Sequence, residues 1–315
     1  MTLLRTNGAV DQGASTPMTV SIPFAQYPVD APLGPIRLDV TADMAARFAQ
    51  AVDSTCSWYV GVSPFGGAIV PYTAIEQIML VTLGDAYRVS DAPRGTVQHR
   101  LAVNYRTPAT IGSVITLGGR TLRKSELPRR YESSFSFEVV MDNGALVMDG
   151  IVTQAHLLGG AKNAGEQTGS GAPPPERNDA PKPADPRFPP VELPMTLKAM
   201  RLYAAWPGLA AYGRSLENQH TNEIEAQRLG RPGVIAMGCH LVGYLEEYLL
   251  RSLGQSWLTT GRLNITFVGM VLVGDTLNVS ARSRGRDADD RLILDVSCVT
   301  LRGVALTGTA SVAAS

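Results

Sequence analysis

Several groups that often announce a function are scarce in this sequence. Three cysteines occur in 315 residues, Cys56, Cys239 and Cys298. This odd and widely spaced set suits buried free thiols and argues against a disulfide framework. The 4 histidines show no paired Cys/His spacing, so no metal site is expected. Neither sign of charge is in excess: 28 Lys and Arg balance 28 Asp and Glu, leaving no net field to draw nucleic acid or an anionic membrane. Long apolar runs are also missing. None approaches the ~18 residues that span a bilayer, and the residues after Met1 are too polar for a secretory leader. The expectation is a cytoplasmic protein that binds neither nucleic acid nor membrane.

What is present is patterned. Residues 1–18 are rich in Gly, Ser and Thr without periodicity and read as a disordered tail. In the unit expected over 19–158, a short strand pattern at 36–40 precedes a helix opened by Thr41. A Gly-rich bend at Gly66 and Gly67 leads to a second helix over 71–83, apolar on most sides. The period then changes to alternation over 99–105, 113–122, 131–141 and 145–156, with turns expected at Pro108, at Gly118 and Gly119, and at Asp142-Asn-Gly144. Composition shifts over 159–190 to Gly, Ala, Pro and charge, the signature of a linker. The second unit, 191–315, repeats the first: strand 192–196, helix 197–205, a polar loop carrying His220, an apolar helix over 236–253, and four strands at 262–267, 276–282, 291–300 and 305–312.

The repeat has a register. Moving 162 positions on takes Arg100 to Arg262, Gly112 to Gly274, Asp53 to Ser215 and Trp58 to His220. A duplication of this length changes the whole fold assignment. One long apolar helix followed by four antiparallel strands, twice over, predicts an α+β protein in which each sheet wraps its own central helix. Pairing two such sheets at their edges buries strands that would otherwise template aggregation. This is a tandem double hotdog.

The series His220-Thr-Asn222, Ala226, Gly230, the run from Pro232 to Gly238, the apolar helix and the Gly274-Asp275 turn resembles the MaoC-like hydratases and dehydratases, the (R)-specific enoyl-thioester hydratase group. The resemblance implies a catalytic His at His220 and an oxyanion-holding N–H at Gly238, with Met237 where the family has His. It also implies a catalytic Asp at the position where this chain has Ser215. In the first half Asp53 keeps the acid position while Trp58 stands at the base position, so that half is expected to be a degenerate shell for the acyl chain, walled by Trp58, Tyr59 and Tyr72.

Chemistry at an acyl thioester needs a base, a proton donor and an anion-stabilising dipole. His220 suits the first two near neutral pH, and Gly238 at a helix start suits the third. Glu217 is the only carboxylate between Ser215 and His220 and is the expected replacement for the missing Asp; it is also what an exposed loop acid looks like. Asn218 and Asn222 are expected to orient water or the imidazole. His240 and Cys239 fit core positions. The leading reading is hydration or dehydration of an acyl thioester on coenzyme A or acyl carrier protein, without a cofactor, in a chain that can also form a homodimer. Alternatives are addition of another nucleophile such as an amine, thioester hydrolysis, or a non-catalytic acyl-binding subunit.

Overall fold

The computed structural model describes residues 19–158, 185–212 and 214–314; the expected tail at 1–18 and residues 159–184 of the expected linker lie outside them. The elements are β1 (Val20–Ile22), β2 (Pro32–Asp39), α1 (Ala42–Ala51), α2 (Tyr72–Thr82), β3 (Tyr87–Val89), β4 (Thr96–Tyr105), β5 (Val114–Leu127), β6 (Arg130–Met141), β7 (Leu146–Leu157), β8 (Val191–Pro194), α3 (Leu197–Ala204), α4 (Glu223–Arg228), α5 (Gly238–Leu253), α6 (Gln255–Thr260), β9 (Arg262–Phe267), β10 (Thr276–Arg286), β11 (Leu292–Thr300) and β12 (Gly303–Val312). Thr41 and Thr196 open α1 and α3 in the same way, each hydroxyl accepting from the backbone N–H three residues on. The all-round apolarity of the two long helices has its expected outcome. Every residue of α5 from Cys239 to Leu250 is buried, as is nearly all of α2, because a sheet covers one side of each helix and the partner helices the other.

The sheet is a single ten-stranded one, in the order β2-β5-β6-β7-β4-β9-β12-β11-β10-β8. The two units meet at the antiparallel β4/β9 pair. There Ala102 lies opposite Asn264, the residue 162 positions on, so a pseudo-two-fold axis passes between them; Arg100 faces Thr266, and its repeat mate Arg262 faces Asn104. Gly112 and Gly274 are also mates in geometry. Both have left-handed φ, 91° and 89°, and their N–H groups donate at 2.8 Å to Val40 and Met195. Five residue pairs, from Arg100 with Thr266 to Asn104 with Arg262, set this seam, and a one-residue slip would turn Leu101 and Val103 out of the core.

Two expectations are corrected. Gly118 and Gly119 do not form a turn but lie inside β5, paired with Glu138 and Phe137. Glycine is needed at 119 because a Cβ there would fall 2.2 Å from the Ser136 carbonyl oxygen. The chain also packs before residue 191: Phe188 is buried in the main core and Arg187 pairs with Asp185 at 2.8 Å. A small parallel pair, β1 with β3, and the helix α6 had no counterpart in the sequence reading. Among the described residues no helix is long and apolar enough to cross a membrane.

Candidate functional site

The loop from Ser215 to Asn222 is braced by its own side chains. Ser215 Oγ donates to the Glu217 carbonyl at 2.7 Å and accepts from the Glu217 N–H. Asn218 Oδ1 accepts from the His220 N–H at 2.9 Å. Asn222 caps α4 through Oδ1, and its Nδ2 donates to Glu217 Oε2 at 2.8 Å. Short polar side chains that bond to nearby backbone are what a loop of this composition favours. The result is a rigid seat for His220.

The imidazole is half-buried and oriented from both nitrogens. Nδ1 lies 2.9 Å from the Ile235 carbonyl oxygen, which accepts and therefore assigns the proton to Nδ1. Gln219 presents its Nε2 at 3.3 Å from His220 Nε2 while its Oε1 accepts from Arg231 Nε at 3.1 Å, which fixes which way the amide points. Burial pushes the ring down to about 4; the Ile235 carbonyl opposes this and the Arg231 charge adds to it. At neutral pH His220 is a neutral imidazole whose Nε2 lone pair faces the Gln219 amide.

Met237 N-caps α5 in an extended conformation and Gly238 begins the helix. The first N–H groups of a helix have no intrahelical acceptor and sit at the positive end of its dipole. His240 and Cys239 take core roles: His240 stacks between Tyr203 and Tyr244 and lies 2.8 Å from the Ala51 carbonyl oxygen, while burial pushes the Cys239 thiol up to about 12.

A cleft of about 850 Å³ gathers these parts. The second half contributes Ser215, Glu217, Asn218, His220, Met237 and Gly238. Of the cleft's three carboxylates, Asp85 and Glu225 are paired with Arg214 and Arg228, whereas Glu217 has no ion pair among the described residues. Asn222 is not in the wall; it acts on Glu217 from behind. The first half supplies residues that sequence reasoning missed: Gln77 from α2, Gln98 and His99 from β4, and Gln154 from β7. A bulge between Gln98 and Arg100 adds an extra residue to β4, and both Gln98 and His99 reach the cleft. No periodicity or spacing marks these four positions; only the tertiary fold brings them together.

Trp58, Tyr59 and Tyr72 do not line this cleft. They belong to the equivalent place on the other side of the axis, and the register there differs by one from the sequence expectation. Ile69 N–H donates to Trp58 as Ile235 N–H donates to Gln219, so Tyr59, not Trp58, stands where His220 does. Tyr72 begins α2 as Gly238 begins α5. Its hydroxyl donates to the Leu258 carbonyl at 2.7 Å, and its ring packs on Tyr105, which packs on Trp257 of α6. That helix start is filled by aromatic side chains. Beneath it Tyr105 lies between Glu76 and Glu246, and burial raises both carboxyls, Glu76 to about 7.

No protein-family profile and no curated protein matches the sequence. Solved structures do match in fold. A MaoC-like dehydratase superposes with a TM-score of 0.70 at 13% identity, over 92% of this chain and 99% of that one. A MaoC-like dehydratase from Phytophthora capsici gives 0.64 at 13% identity, over 90% and 96%. A Mycobacterium tuberculosis protein described as having a double hotdog fold gives 0.59 at 14% identity, over 93% and 98%. The chain has the tandem hotdog fold of the MaoC-like proteins.

Proposed function

We propose that this chain, built on the MaoC-like double hotdog, adds water to or removes it from acyl thioesters carried by coenzyme A or acyl carrier protein. One observation carries the reading: a neutral imidazole, His220, shares a cleft with the start of a buried 16-residue helix at Gly238. The thioester oxygen accepts from the Gly238 N–H, and the enolate charge that develops there is held by the helix end. In hydration, His220 Nε2 takes a proton from water as its oxygen bonds to Cβ, and a proton is delivered to Cα. Dehydration runs the same steps in reverse. A Cβ on residue 238 would sit 2.6 Å from Gln98 Oε1, so the Gln98 amide packs directly against the residue that opens the helix.

Ser215 cannot supply the family carboxylate, and its hydroxyl is engaged by the Glu217 backbone. Glu217 takes that role in this reading: it lines the cleft, and Asn222 holds its Oε2. The loss of an acid at 215 also favours a second reading, in which the same base and oxyanion donor serve amine addition or thioester hydrolysis. Incubating the protein with crotonyl and longer enoyl thioesters, with and without amino acids, separates the readings by product mass. A mass gain equal to water supports hydration, an amine adduct or a free acid supports the second reading, and no product from any thioester leaves an acyl-binding subunit.

A further inference from the structure

The wall that the first half gives to the cleft carries three glutamines among its apolar and charged residues. Gln77 is fully buried and Gln154 is 5% exposed, and Gln98, half-buried overall, has both amide atoms buried. The orientation of Gln77 is fixed, because Nε2 donates to the Tyr203 carbonyl at 2.9 Å and contacts Met237 Sδ at 3.5 Å. Its Oε1 therefore remains an acceptor beside the residue that precedes Gly238. Gln98 lies against Gly238 itself and opposite Gln154 across the β4/β7 pair. The Oε1 atoms of all three, and Gln98 Nε2, have no hydrogen-bond partner among the described residues.

Buried amides are normally paired, and leaving several unpaired against an alkyl chain is unfavourable. Three elements, α2, β4 and β7, converge on this one wall, so the pattern is not a local accident of one loop. We infer that the site selects acyl groups carrying a hydrogen-bond donor, a hydroxyl or an amide N–H, beyond the reacting Cα–Cβ unit, in preference to plain alkyl chains. The inference rests on the thioester reading above. The pantetheine arm of the carrier also bears N–H and O–H groups, so the test must separate chain from arm.

The comparison is between two enoyl-coenzyme A substrates of equal chain length, one plain and one hydroxylated two carbons beyond the double bond. It is run on the wild type, Gln154→Leu and Gln98→Leu, with isothermal titration of the matching unreactive thioethers. Wild type is expected to favour the hydroxylated chain in kcat/KM by about tenfold or more. Each variant should bring that ratio to within about threefold of unity, since a lost hydrogen bond to a polar ligand is the quantity read. A wild-type ratio near one overturns the inference, as does an equal loss for both chains in the variants, which would assign the glutamines to the carrier arm. If neither chain turns over but the thioethers keep the affinity ratio, the hydration reading fails and the selectivity stands. If both turn over equally, only the selectivity fails; if neither thioether binds, both fail.

Discussion

Replacing Gly238 by alanine isolates the helix start from the rest of the site. The added methyl would lie 2.6 Å from Gln98 Oε1, 3.3 Å from Gln98 Cβ and 3.1 Å from Phe267 Cε1. The nearest atom is the far end of a flexible side chain, so the amide can swing aside at an overpacking cost of about 1–3 kcal/mol. Part of this is offset by the helix preference of alanine over glycine, at most about 1 kcal/mol. A net destabilisation of about 1–2 kcal/mol lowers Tm by a few degrees in a chain of this size. On the proposed mechanism the effect on turnover is of another order, because the methyl crowds the N–H assigned to the acyl oxygen. Loss of one such donor costs about 100- to 1,000-fold in kcat. KM should move less, since the interaction strengthens only as charge develops. The assay is steady-state turnover of an enoyl thioester beside a thermal melt. Gly243→Ala is the control for packing alone. Its Cβ would meet Thr73 Oγ1 and Val52 Cγ1 at 2.8 Å in closed core, so it should lose about 1–3 kcal/mol of stability and keep its kcat per folded molecule. Turnover of Gly238→Ala within about threefold of wild type, at a similar melting temperature, would refute the oxyanion assignment, because the expected loss is at least tens of times larger.

Four further outcomes follow from the geometry. His220→Ala should lower kcat by about 100- to 10,000-fold, and the acid limb of the wild-type pH–rate profile should fall through about pH 4, not 6.5, because burial keeps the ring neutral; a limb near 6.5 would mean the base is another group. Glu217→Gln should cost about 100-fold or more if its carboxylate transfers a proton, and a silent variant would turn the reading toward a single-base enzyme. His156 and His240 are buried with rings pushed down to about 4. Their stabilising contribution, on the order of 3 kcal/mol each, is complete above pH 6.5 and is lost as pH falls toward 4. Urea midpoints across that window check it, and a flat profile contradicts it. Glu76 has the opposite sign: its carboxyl is raised to about 7, so stability declines as pH rises from 4.5 through 7. Glu76→Gln should therefore raise Tm more at pH 8 than at pH 5, and equal shifts at both would refute this.

The long helices were legible because burial on all sides writes an apolar run that no surface helix has, as in α5, and the strands because their faces alternate. The duplication was legible in the glycines that need left-handed φ, 112 and 274, which no other residue fills without strain. Gly118 and Gly119 misled for the same reason. Glycine marks a turn and also a close approach of neighbouring strands, and only the Ser136 carbonyl across β6 decides between them. Trp58 was aligned with His220 one position off because the loops before the two helices differ in length, and a constant offset cannot follow that. His220, Glu217 and Gly238 sit within one continuous stretch and carry a local pattern. Gln77, Gln98 and Gln154 lie in three separate elements and meet only when the halves fold together. Trp257, which packs on Tyr105, has no sequence signal because a short helix after a long one gives no separate period.

The axis between Ala102 and Asn264 relates two halves encoded separately. In a dimer of identical hotdog subunits each substitution is made twice, so a plug such as Tyr72 at one helix start would stop both centres. Joined in one chain, the halves are free to diverge. One has given its helix start to an aromatic plug and lends its glutamines across the interface to the other. On the proposed function the stoichiometry is one reactive centre per polypeptide, and a tight-binding thioester analogue should titrate at one equivalent per chain where a symmetric pair of subunits would take two.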